Sequence, residues 1–449
     1  MKRLFYPSLC CVLLGTLAIG GETEEAKPNG LPDILQMLGQ QVKTVQMLRS
    51  TMTESQVRNR IAKAESKTVF VIEPGSTWTL KETLRIPDQT TLIGFNVGKN
   101  NDVTFTKGFD GPLAEIGSWV TMHGICFDGN KENFKGDGLI DRRKGKQGVR
   151  EQRFIRVDVL NCAGNGFFLN RDHYFSYYQF CSFDRNDGYG LVYGEVRSHH
   201  TDNVWDSCHW GWNGKGGVAF HGVEASSIWE NCEFFHNGGP AFEHFLINKK
   251  EGPGKPIGPC PGAGAGALVI RNSVIRNHAG PVWLNRGGVS ESIVFEDSRL
   301  KHNGDPKDCA LTKDSGKTVE ELFGLTGPVG GIFHVEKGQL FAELRGGFAW
   351  DNGPYVFTAS PNSTPGSRLT ISGAARTGHV TGGVYAPTAI LTVLDASLLK
   401  EDTHINVASG IGLDPRTGTV ISYGRSDEPV RPAGPAGQTE TDDEEPEDQ

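Results

Sequence analysis

The stretch WENCEFFHNGG, Trp229 to Gly239, decides the fold. Relatives of it stand at FCSFDRNDGYG (Phe180 to Gly190) and SCHWGWNGKGG (Ser207 to Gly217). Weaker copies stand at NSVIRNHAG (Asn272 to Gly280) and DSRLKHNG (Asp297 to Gly304). Each carries a small residue, then alternating bulky residues, then Asn and Gly. Aligned on the small residue, Cys181, Cys208, Cys232, Ser273 and Ser298 form one series with intervals of 27, 24, 41 and 25 residues. Val157 extends it 24 residues upstream, and Gly124 in MHGICFDGN is the expected earlier member. Such a period, with strand-like alternation and Asn-Gly punctuation, marks a solenoid of parallel strands.

The physical reason is burial. A single short coil cannot cover its own apolar face. Coils stacked about 4.8 Å apart bury each inward residue against the coils above and below. Like residues then form columns, and Cys181, Cys208 and Cys232 make an internal one, small and apolar enough for a core. No CxxC or CxH spacing gives these thiols a metal-binding pattern. Asn165, Asn186, Asn213, Asn237, Asn277 and Asn303, near the glycines, are read as turn residues, because Asn tolerates left-handed backbone and bonds local amides.

Upstream, VFVIEPGSTWTLKETLRIPDQTTLIG (Val69 to Gly94) alternates and turns at Pro-Gly, as an opening coil would. Before it, LPDILQMLGQQVKTVQML and TESQVRNRIAKAE have helical period, and Thr53 with Gln56 resembles a capping box. A helix there would cover the open end of the solenoid and its unpaired strand edges. After Gly304 the period blurs, but QLFAELRGG, RLTISGA and AILTVLDAS remain strand-like. The expected organisation is a signal peptide over 1–21, a linker and helical cap over 22–66, the solenoid over 67–425 and a disordered tail over 426–449.

Lys2, Arg3 and the apolar run Leu9 to Ile19 compose the expected secretory signal, too short for a comfortable membrane span, which implies a secreted or periplasmic protein. No further membrane segment is expected in the mature chain. From Ser426 onward nine acidic residues and one arginine account for −8, the whole formal net charge. The remaining chain is therefore near neutral, and without a basic stripe nucleic acid is excluded as a partner. Of nine cysteines, Cys10 and Cys11 fall in the signal, leaving an odd seven. Cys260 and Cys309, both in loop-like segments, are the one disulfide pairing considered.

The chain resembles right-handed parallel β-helix proteins of the pectin-lyase-like superfamily. The carrying residues are VFVIEPGSTWTLKETLRI, the VTMHGICFDGN coil and the repeated N-C-x-F-x-x-N-G blocks. The resemblance implies an all-β solenoid with a short helical N-terminal cap, which occurs as a monomer or a homotrimer. It also implies a polysaccharide or oligosaccharide partner, because most enzymes of that superfamily act on polysaccharides, while others are adhesins or tailspikes. Fold alone does not choose among these.

Chemistry is sought on the strands that follow each Asn-Gly turn. Counted from the glycine, position four should face outward. It holds Asn170, Gly194, His221, Glu243 and Leu284, and the next residues add Arg171, Asp172, His173, Glu195, Glu224, His244, Asn285 and Arg286. Five neighbouring coils would thus present acids, bases and cations along one outer stripe, with His221 and Glu243 one coil apart. A lyase acting by β-elimination on a uronate needs a base, for which His221 is suited, and a cation to hold the carboxylate, for which Arg171 or Arg286 is suited. A glycoside hydrolase or transglycosylase needs paired carboxyls, which Glu224 and Glu243 with Glu195 or Asp172 would supply. The third alternative is a non-catalytic surface or adhesion protein.

The NTD, DD, GHG and RIK set of polygalacturonases is missing from the body of the chain, as is the WIDH element of pectate lyases. The DPHD element of alginate epimerases has only a faint echo in NRDHY, Asn170 to Tyr174. Calcium is the cation to consider, but Asp202 and Asp206, four apart, lack a calcium-loop pattern, so no metal is assigned. The aromatic residues Tyr174, Phe175, Tyr177, Tyr178, Trp210 and Trp212 would either stack on sugars or pack beneath loops. The long insertion Ile247 to Ala267 explains the 41-residue interval and directly follows Glu243 and His244.

Overall fold

A computed structural model describes residues 42–94, 96–97, 100–141, 148–169, 172–194, 199–221, 223–244, 268–286, 290–373, 382–394, 404–414 and 417–425. The expected signal peptide, the acidic tail and Cys260 lie outside the described residues. Among the described residues, no helix is long and apolar enough to cross a membrane.

The chain is a right-handed parallel β-helix. Its short strands pair parallel, each with the equivalent strand of the next coil, from Thr44–Leu48 on Thr68–Ile72 to Arg368–Ser372 on Gly383–Val393. The column predicted from the small residues stands. His209 N donates to Cys181 O at 2.8 Å, Glu233 N to Cys208 O at 2.9 Å, Val274 N to Cys232 O at 2.9 Å and Arg299 N to Ser273 O at 2.8 Å. Where the column turns polar, each hydroxyl serves the coil before it: Cys232 N donates to Ser273 Oγ at 3.1 Å, and Ser273 N to Ser298 Oγ at 3.3 Å. Asp158 pairs with Ser182, which seats Val157 on Cys181 as expected. Its upstream partner is Ile125, not Gly124, because Gly124 takes the left-handed corner (φ 64°) and leaves Ile125 the inward place.

The corners are tight. Asn161, Arg185, Trp212, His236, Asn277, His302 and Asp351 form one column of single residues with φ between 51° and 59°. Left-handed backbone costs a non-glycine residue on the order of 1 kcal/mol. Here the corner amides bond the next coil, as when Arg185 N donates to Gly211 O at 2.9 Å. Just inside this corner runs a buried asparagine column. Asn186 N and Nδ2 donate to Asn213 Oδ1, at 3.1 and 3.0 Å, and Asn213 N and Nδ2 donate to Asn237 Oδ1, both at 3.0 Å. Asn303 repeats the contact with Asn352. The amides thus satisfy buried backbone that water cannot reach.

Between the columns lies an aromatic core. Tyr178, Trp205 and Trp229 occupy one position on successive coils, with ring centroids 3.8 and 5.1 Å apart. Trp210 is inward and fully buried against Phe234 at 4.7 Å, while Trp212 stands at the corner.

At the N-terminal end, Glu54–Ala62 is a helix with the expected Thr53–Gln56 capping box, and it buries Val57 and Ile61 in the core. Residues 44–48, expected to be helical, form a strand instead. Five residues are too few to separate the two periods, and the open edge of Thr68–Ile72 offers a parallel partner. At the other end Ile405–Asp414 and Thr419–Tyr423 pair antiparallel.

Candidate functional site

Strand Gly216–Phe220 pairs with Phe242–His244 in the register Val218 on Phe242, Ala219 on Glu243 and Phe220 on His244. The fixed point is the asparagine column, with Asn213 under Asn237, rather than the last glycine of each turn. Counting from Gly217 and Gly239 therefore misplaces the two coils by two residues. Glu243 stands beside Ala219, and His221 lies two residues further on, about 7 Å along the strand direction. His221 is half-buried just past the strand end, with its amide donating to Tyr193 O at 2.8 Å.

The outward row on this sheet is Phe168, Val192, Ala219, Glu243, Leu284, His334 and Thr358. It is largely apolar and covered, not an open charged stripe. Leu284 lies beneath Val319, Phe323, Leu325 and Val329, which belong to the excursion between Lys301 and Phe333 that includes the short helix Val319–Phe323. Inward of the row, His244 and Asn285 are fully buried in the interior, one coil apart. Each directly follows an outward residue, Glu243 or Leu284, so strand alternation turns it inward and out of the expected stripe.

Glu243 is the centre of the arrangement. It is 6% exposed. Tyr189 OH donates to its Oε2 at 2.6 Å, and Arg286 Nε lies 3.3 Å from its Oε1. Burial raises the Glu243 carboxyl above the usual range, and Arg286, the Tyr189 bond and the Lys215 charge partly offset this. Burial and the neighbouring carboxylate hold the Tyr189 phenol in its protonated form. Arg286 also donates from Nη2 to Phe323 O at 2.7 Å, so one guanidinium joins the carboxyl to the covering segment. Two coils on in the same row, His334 bonds Thr358 Oγ1 at 2.8 Å and Glu336 Oε2 at 3.2 Å.

A second polar cluster lies inside the coil. His173 Nε2 is 2.7 Å from Tyr178 OH, which donates to Gln152 Oε1 at 2.9 Å. Asp141 Oδ2 lies 3.5 Å from His173 Nδ1, and all four residues are buried. A small sheet stacks His173 on His200 and His200 on Glu224, which brings two of the expected residues into one ladder. Asp172 is half-buried; with burial, its charge and hydrogen bond push the Tyr174 phenol up to about 12. Asn170, Arg171 and Glu195 lie outside the described residues, as does the insertion 247–267. Cys309 is buried with a free thiol that donates to Asn237 O at 3.3 Å. Among the described residues, no group of three or more His, Cys, Asp or Glu is placed to hold a metal ion.

Of the expected residues, the structure joins Glu243 with Arg286. Sequence reasoning missed Tyr189, His200, His334, Glu336, Asp141 and Gln152, and it offered Tyr178 only as a ring for stacking or packing. A tyrosine next to a turn glycine carries no mark of a partner 54 residues away.

No protein-family model matches the chain, and no curated protein matches it. Among solved structures it is similar to the A-modules of two mannuronan C-5 epimerases of Azotobacter vinelandii. For AlgE4 the identity is 12%, over 76% of this chain and 90% of that one, with a TM-score of 0.44. For AlgE6 the values are 14%, 80%, 95% and 0.47. An alginate lyase from Paenibacillus sp. is similar at 10% identity over 77% of this chain and 99% of that one, with a TM-score of 0.38. The parallel register of its own coils, strand on equivalent strand, makes this chain a parallel β-helix.

Proposed function

We propose that the chain is a secreted carbohydrate-active enzyme that cleaves a uronic-acid-containing polysaccharide by β-elimination, with Glu243 and Arg286 at the centre of its site. One observation carries this: a buried carboxyl on an outward strand position, bonded to a phenol and a guanidinium. Elimination moves the proton on the carbon beside the uronate carboxylate to a base. A carbon–carbon double bond forms, the glycosidic C–O bond breaks, and the leaving oxygen takes a proton. Negative charge gathers on the carboxylate in the transition state, so a cation beside it lowers the barrier. Arg286 supplies that cation, and Glu243, paired with its Nε, holds the guanidinium in place for the ligand carboxylate. His221, on the neighbouring coil, is the proposed base. Arg171 and Glu224 complete the proposed catalytic set.

The hydrolase alternative requires a second carboxyl about 5 Å or more from the first. Burial acts most strongly on the Glu243 carboxyl, and the groups that offset it are a phenol and two cations rather than a second carboxyl, which favours elimination. The test is a panel of uronate glycans followed by ultraviolet absorbance of the unsaturated product and by reducing-end release. Elimination gives both signals, and Glu243→Gln and Arg286→Met each abolish them. Reducing ends without absorbance would establish hydrolysis instead. Unchanged turnover in both variants would remove the site from this face.

A further inference from the structure

Tyr189 lies at the edge of its strand, where it pairs with Gly216 of the next coil. Its phenol nevertheless bonds Glu243, two coils on. The route is open because Gly216 has no side chain. A Cβ built there would come 2.8 Å from the Tyr189 ring and 2.8 Å from Pro240 O, closer than real contacts allow. The ring therefore lies across the place a side chain would fill. We infer that Tyr189 is a positioning residue for Glu243, and that Gly216 is the gap through which it reaches. This rests on the reading of Glu243 as the working carboxyl.

The arrangement has a chemical consequence. The phenol keeps its proton and donates it to the carboxyl, because burial and the adjoining carboxylate oppose its own ionisation. A donor held at 2.6 Å fixes one carboxyl oxygen and favours the charged form. Arg286 approaches the other oxygen, Oε1. The two partners thus set both the rotation of the carboxyl and its proton affinity against the opposing effect of burial. Glu243 is held ready for a ligand carboxylate that would compete for Arg286, and the oxygen bonded to Tyr189 stays oriented meanwhile.

The experiment uses the full chain and two readouts. The first is an infrared titration of the protonated-carboxyl band, with Glu243→Gln as the reference that removes it. Tyr189→Phe moves the Glu243 midpoint to higher pH, because the lost donor had favoured the ionised form. Gly216→Ala moves it the same way by displacing the ring. The second readout is turnover of a uronate glycan. Tyr189→Phe lowers kcat by roughly ten- to a hundredfold, the equivalent of one lost charge-assisted hydrogen bond, with KM little changed. The pH profile moves in step with the infrared midpoint.

An unchanged infrared midpoint in Tyr189→Phe overturns the inference whatever the activity. If the midpoint moves while the native chain cleaves no uronate glycan, the positioning role stands and the elimination reading fails. Should Gly216→Ala not fold, Tyr189→Phe decides alone.

Discussion

His278 gives the fold a measurable sensitivity to acid. It occupies the asparagine column, with its amide donating to Asn303 Oδ1 at 3.3 Å, and its side chain is fully buried. Burial, with a smaller contribution from His236, drives its pKa down to about 3, while the Phe234 and Gly239 carbonyls oppose the shift. In the unfolded chain an ordinary histidine titrates near 6.5. Between those values the native state binds fewer protons than the unfolded state, so stability falls as pH falls. Above about pH 6.5 the group contributes no slope. At pH 5 the gap is about 1.5 units, or about 2 kcal/mol lost, from this residue alone. His278→Asn restores the residue type of the column and removes the titrating group. Denaturant unfolding of both proteins at pH 7 and pH 5 measures the effect. The native chain should lose about 2 kcal/mol more than the variant over that interval. Equal losses would refute a neutral, buried His278.

Two further outcomes follow from the columns. Asn213→Ala removes donors to Phe183 O and Asn237 Oδ1 and the acceptor for Asn186, and should cost roughly 3 kcal/mol, while Asn59→Ala on the exposed helix face stays within about 0.5 kcal/mol; thermal melts compare them. Cys181, Cys208 and Cys232 are buried, and burial pushes the Cys232 thiol up to about 12, so these thiols should resist maleimide until the chain unfolds; rapid labelling of the native protein, mapped by mass spectrometry, would contradict the column.

The period was legible because a small inward residue recurs at one place in each coil, and that place is enforced by packing. Cys181, Cys208, Cys232, Ser273 and Ser298 carry it across a 41-residue interval. The site was harder to place for two reasons. Glycines cluster at the turns, so Gly217 and Gly239 look equivalent, whereas the bonded pair is Asn213 and Asn237. Strand alternation also assigns polar residues to the outside. His173 and His244 are inside, and a histidine can satisfy itself there with a partner such as the Tyr178 hydroxyl, which the alternation of polar and apolar residues does not reveal. The reach of Tyr189 over Gly216 depends on the side chain that position 216 lacks, which no single coil reveals.

The 41-residue interval from Cys232 to Ser273 leaves the vertical alignment of their coils undisturbed. A solenoid of this kind tolerates length as a bookshelf tolerates volumes of unequal depth: the spines stay in line. New recognition surfaces could therefore be acquired beside Glu243 by lengthening or exchanging the segment after His244, with no need to re-solve the packing of the interior.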